Sequence, residues 1–144
     1  MYASPTLASP FGRTQQFASA YKQVGVETGI AGASAHQLVQ MLFDGFLDAV
    51  AQARGALRDG NVELKGRAIG RAVRILDEGL KATLNTGDGG ELAADLNDLY
   101  AYTSLRLTQA NLRNDERALE ECQRLIEPLR TAWTAIAAQV DVQP

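Results

Sequence analysis

Residues 87–115 read GDGGELAADLNDLYAYTSLRLTQANLRND, and their apolar side chains recur at helical spacing. Placed at about 100° per residue, Leu92, Leu96, Leu99, Tyr100, Thr103, Leu107 and Ala110 gather on one side, the stripe a helix buries in its own domain. Ala94, Ala101, Tyr102, Leu105 and Leu112 gather on the far side, where a solvated helix would show charge. The glycines ahead stop one helix and start the next, with Glu91 at the favourable, positive end of the new one. Two apolar stripes on one helix point to an all-helical domain with more to cover than its own core.

The flanking segments repeat the helical period. Upstream, Val62, Ile69, Val73, Leu76, Leu80 and Leu84 mark an inward face that closes at Asn85 and the glycines of NTGDGG. Before that, SAHQLVQMLFDGFLDAVAQARGALRDG carries Leu38, Leu42, Phe46, Ala49, Ala53 and Leu57 on one face, with Ser34 as N-cap and an end at Asp59-Gly60. Downstream, a helix from about Glu116 to Val140 turns Leu119, Cys122, Ile126, Leu129, Trp133, Ile136 and Val140 inward. Rods of similar length joined by the short turns DGN, NTGDGG and RND pack as antiparallel neighbours. The expected fold is all-α, an up-down four-helix bundle over residues 33–140. Pro128 conflicts with its helix at a cost of about 3 kcal/mol, and a kink is expected there.

The first residues differ in character. Residues 1–12 hold two Ser-Pro pairs and little periodicity, which reads as a flexible arm. Within 13–25, Phe17, Tyr21 and Val24 fall at i, i+4 and i+7, a short accessory helix with one sticky edge, ended by Gly25, Gly29 and Gly32. So short a helix is marginal alone and must dock on something.

The second bundle helix also carries surplus apolar surface: Leu64, Ala68, Ile75, Gly79 and Ala82 form a line of mostly small residues, beside a basic face of Arg67, Arg71, Arg74 and Lys81. Small residues let another backbone come close, as a shallow groove for an incoming helix requires. The plainer explanation is that a bundle helix touches neighbours on two flanks, so that a wide stripe is ordinary core. Contiguous exposed apolar patches usually mark interaction sites.

Composition narrows the function. The 144 residues are 46% hydrophobic and 22% charged, with 14 Lys and Arg interleaved among 17 Asp and Glu for a net charge of −3, so nucleic acid is not an expected partner. The single cysteine, Cys122, cannot form an internal disulfide and reads as a small core hydrophobe in a reducing compartment. No basic start leads into an apolar stretch, and nowhere do roughly 18 apolar residues run together, so a cytoplasmic protein without membrane insertion is expected. The single histidine, His36, lies on the polar side of a first turn, no Glu-x-x-His pair is present, and the Gly87–Gly90 stretch lacks a P-loop lysine. No catalytic residue, cofactor or metal site is expected; phosphotransfer through His36 is the enzymatic alternative.

SAHQLVQMLFDGFLDAVAQA, GGELAADLNDLYAYTSLRLTQANLRND and LRTAW, with AYKQV upstream, resemble the flagellar export chaperones of the FliS type over residues 19–134. GGELAxxLxxLYxY followed by LRxAW is the specific part of the resemblance. Phe43 stands where the family often has tyrosine, Ala35 and His36 replace its common early proline, and Pro128 is outside its pattern. The resemblance implies a cytoplasmic chaperone that binds the C-terminal segment of flagellin, holds it unpolymerised, and helps deliver it to the flagellar type III export gate. Another flagellar regulator is a further partner it allows. By the same analogy Phe17, Tyr21 and Val24 cover part of the client groove until client arrives; the surplus stripes read from helical spacing supply Leu64, Ala68, Ile75, Gly79, Tyr102, Leu105 and Leu112 as the other candidate client-binding residues. The structural alternative is a homodimeric adaptor whose extra stripes meet in a second copy.

Overall fold

The computed structural model describes residues 16–21, 35–85 and 90–142, with side chains through residue 136. Helix α1 spans Ala35–Arg58, α2 Val62–Arg74 with a π-helical continuation Ile75–Lys81, α3 Gly90–Arg113 and α4 Glu116–Val142. The described residues contain no strand, and the all-α expectation holds. The expected arm at 1–12, Val24, the three glycines after it, the Ser34 cap and residues 86–89 lie outside the described residues.

Local chemistry sets the helix ends. Gly60 takes φ +73°, a conformation that a Cβ resists, and the amides of Gly60 and Asn61 turn back to the carbonyls of Leu57 and Ala56 at 3.2 and 2.9 Å. The Asn61 side chain then caps α2 by accepting from the Leu64 amide at 3.1 Å. Asn114, at φ 51°, ends α3 in the same left-handed way, and the Asp115 amide returns to the Ala110 carbonyl at 3.1 Å. Asp115 opens α4 by accepting from the Arg117 amide at 3.0 Å.

Each helix packs on two others: α1 on α2 and α4, and α3 on α4 and on α2 with its π continuation. Contacts between neighbours run in opposite senses. Late in α1, Arg54 meets Glu116 at 3.1 Å, whereas early in α1 His36 lies 2.7 Å from the Trp133 carbonyl. Lys65 at the start of α2 reaches Asn111 and Asn114, and Asp77 further along accepts from Ser104. Phe43, Phe46, Ile69, Leu76, Leu80, Tyr100, Leu107, Leu119, Ile126 and Trp133 fill the centre.

Several inward faces are turned from their expected positions. In α1 the buried residues are Val39, Phe43, Phe46, Ala49, Val50, Ala53 and Ala56, while Leu38, Leu42 and Leu57 sit half-buried on the flanks. In α3, Ala93 points inward and Leu92 and Leu99 are half-buried. Val62, expected inward, is exposed at the start of α2, and Lys65 is buried in its place. Lys65 Nζ donates to the Asn111 carbonyl at 2.9 Å and to Asn114 Oδ1 at 2.6 Å. It thereby pairs its charge with the negative end of α3, where carbonyls lack intrahelical donors.

Helix α4 continues through Pro128, which is exposed, so solvent can satisfy the carbonyl that loses its donor. Cys122 is buried as expected; burial pushes its thiol up to about 12, and Sγ donates to the Thr103 carbonyl at 3.6 Å. No helix among the described residues is long and apolar enough to cross a membrane.

Candidate partner-binding site

The N-terminal segment docks on the bundle by its predicted sticky edge. Residues 16–20 are helical, with Phe17 nearly and Tyr21 fully buried. The Phe17 ring stands edge-on to Trp133 at 4.8 Å and to Phe43 at 6.3 Å; Tyr21 stands edge-on to Trp133 at 5.4 Å and to Phe43 at 6.5 Å. Edge-to-face packing brings the positive ring rim against a negative face, which adds to the area these side chains bury. At the cradle floor the hydroxyls of Tyr21 and Tyr100 share a 2.5 Å hydrogen bond. At its rim the Asn85 amide donates to the Ala20 carbonyl at 2.7 Å and Asn85 Nδ2 to the Ser19 carbonyl at 3.4 Å. Residues from α1, α3, α4 and the end of the α2 segment thus converge on a turn of chain outside the four helices.

His36 braces this cradle. Its ring stacks on Trp133 at 4.8 Å and an interplanar angle of 6°, and Nε2 donates to the Trp133 carbonyl at 2.7 Å. Trp133 Nε1 donates in return to the His36 carbonyl at 2.9 Å. The polar, solvent-facing position expected for His36 is therefore corrected: the ring is half-buried and its Nε2 is engaged. That geometry holds α1 to α4 and leaves no free Nε2 for a phosphoryl group.

The two surplus stripes part company. On α3, Ala94 and Ala101 are exposed, and Tyr102, Leu105 and Leu112 stand 43%, 55% and 81% exposed, as the periodicity predicts. Tyr102 is tethered toward α4, its hydroxyl donating to Glu121 Oε2 at 2.6 Å while Arg106 Nε pairs with Glu121 Oε1 at 2.7 Å. The Tyr102 hydroxyl first, and Arg106 next, hold the Glu121 carboxyl below the usual carboxylate range.

On α2 the line of small residues is not an open groove. Ala68 is buried, and Gly79 lies so close to α1 that an added Cβ would stand 2.8 Å from Leu42 Cδ2. Ile75 packs on the core with its Cδ1 over Gly45 of α1, and Leu64 on the same flank is half-buried. Small residues do admit a close backbone here, but the backbone is α1. Ala82 alone of that line is exposed. The basic face is solvated at Arg67, Arg71 and Arg74, with Arg67 3.6 Å from Glu63.

The structure therefore unites Phe17 and Tyr21 in one cradle and leaves Tyr102, Leu105 and Leu112 on the outer side of α3. It seats Ile75 and Gly79 against α1 and buries Ala68. Sequence reasoning missed Tyr100, Asn85 and Trp133 as cradle residues; the clue to the first was a phenol inside a core stripe, a hydroxyl that needs a partner.

A helical bundle with a cradle filled by its own leading segment and an exposed apolar helix face has the build of a protein-binding module. The family model for flagellar protein FliS matches residues 17–140, and the chain belongs to that family, one of chaperones and not of enzymes. It is 47% identical to the flagellar secretion chaperone FliS of Salmonella typhimurium over 86% of this chain and 92% of the relative. It is 43% identical to FliS of Escherichia coli over 79% and 84%, and 39% identical to the flagellar secretion chaperone FliSB of Pseudomonas aeruginosa over 81% and 92%.

Proposed function

We propose that the chain is a cytoplasmic flagellar export chaperone that binds the C-terminal segment of flagellin, keeps it from polymerising early and helps bring it to the flagellar type III export gate. The observation that carries this reading is the α3 line of Tyr102, Leu105 and Leu112, large apolar side chains left uncovered in the folded chain. A disordered client that folds on contact needs such a surface to complete its own amphipathic helix.

The docked N-terminal segment supports a second element of the reading. Phe17 and Tyr21 fill apolar space that a client helix can take, so the segment acts as a displaceable lid over the bundle domain. A lid lowers apparent affinity by the fraction of closed molecules, which favours handover at the gate. Another flagellar regulator competing for the same surface fits the same design.

The test is binding to full-length flagellin and to flagellin lacking its C-terminal segment, with wild type beside Leu105→Glu and Leu112→Glu. Truncation should abolish binding and each substitution should weaken it about tenfold or more, the scale of a hot-spot loss. Equal binding of both flagellins would sink the proposal.

A further inference from the structure

The cradle under the N-terminal segment is largely aromatic, and among the described residues two groups give that segment polar contacts: the Tyr100 hydroxyl on the floor and Asn85 at the rim. Tyr100 is fully buried, and among the described residues its hydroxyl pairs with that of Tyr21. Burial raises both phenols above the ordinary tyrosine value of 10.0, so both are protonated at neutral pH, and one donates while the other accepts. A helix that placed an aliphatic side chain in the position of Tyr21 would leave the Tyr100 hydroxyl buried and unpaired. That outcome costs more than the hydrogen bond itself is worth, because the group has lost water and gained nothing.

We propose that Tyr100 is a specificity-determining residue of the cradle, selecting a helix end that carries a large apolar side chain followed four residues later by a hydroxyl-tipped one, as Phe17 and Tyr21 do. Asn85 fixes the polarity of that end. Its two donors meet the carbonyls of Ser19 and Ala20, the groups that a helix leaves without partners only at its C-terminal turn. The preferred occupant is therefore the closing turn of an amphipathic helix with an apolar-x-x-x-Tyr pattern, and the chain's own leading segment is its template. For a client, the inference rests on the reading of the cradle as a surface shared by lid and client. Selectivity at position 21 itself stands without it.

The test uses four full-length forms: wild type, Tyr21→Phe, Tyr100→Phe and the double variant. Docking is read as amide hydrogen exchange at Tyr21 and at Asn85, whose N–H is bound to Ala20, with thermal melts confirming that the bundle is folded. Each single variant strands one hydroxyl and should speed exchange about tenfold; the double strands none and should return to within about threefold of wild type. The preference at position 21 then inverts, Tyr over Phe on the wild-type cradle and Phe over Tyr on the Tyr100→Phe cradle. Single effects that multiply in the double, or a preference for Tyr that survives Tyr100→Phe, would overturn the proposal. If Tyr100→Phe does not fold, wild type against Tyr21→Phe decides it, with unchanged exchange as the negative result. No flagellin is present, so a failure here is distinct from a failure to bind flagellin.

Discussion

Helices α2 and α3 each carry a second apolar line, yet one is sealed and the other open. The α2 line is made mostly of small residues and meets α1 at Gly79, so closely that Leu42 occupies the space a Cβ would need, while Ala68 is buried. The α3 line ends in Leu105 and Leu112, which stay 55% and 81% exposed. Within this molecule the Gly of the small-residue row marks a helix contact already made, and a row of Leu and Tyr opposite the core stays exposed, the surface proposed for a client.

The sharpest way to break that contrast is charge. Ala68→Glu and Leu76→Glu place an unpaired carboxylate in the interior and should cost several kcal/mol, enough to unfold much of the population. Urea unfolding followed by circular dichroism measures this, and a folded Ala68→Glu would put that residue back on the surface. Next comes volume. Gly79→Ala sets a Cβ against Leu42 and should cost up to about 2 kcal/mol net, overpacking outweighing the better helix propensity. Gly66→Ala, where a Cβ meets nothing within 4 Å, should stabilise by about 0.5–1 kcal/mol.

On the open side, Leu105→Glu and Leu112→Glu should shift stability by no more than about 0.5 kcal/mol, so that any loss of flagellin binding is separable from unfolding. The smallest effect is electrostatic. Glu121 is held below its ordinary value of 4.5 in the fold, so its pairing contributes above pH 4.5 and fades as pH falls through the lower folded value. Glu121→Gln should therefore be slightly less stable than wild type above pH 4.5, with the two stability profiles converging in acid. A constant offset would mean that the pair does not couple to folding.

Helix number, turns and ends were legible because they are local: Gly60 and Asn114 adopt left-handed conformations that their residue types favour. Rotation about each helix axis was read less well, and the reason is alanine. Large apolar residues drew the predicted stripes toward Leu92, Leu99, Leu38 and Leu42, whereas Ala93, Ala56 and Ala72, which no predicted stripe included, are buried, because close helix contacts want side chains too small to signal burial by size. Lys65 escaped notice for a related reason. Its burial depends on carbonyls at the far end of α3, 46 residues away in sequence. The exposed line on α3 needed only periodicity, while the cradle needed residues from five separate stretches to be placed together.

Trp133 is the only tryptophan, and it lies against Phe17, Tyr21 and His36. The molecule thus holds an intrinsic fluorophore at the spot where the leading segment sits. Departure of that segment would wet the indole and shift its emission to longer wavelength, so occupancy of the cradle can be followed in the unlabelled protein in real time.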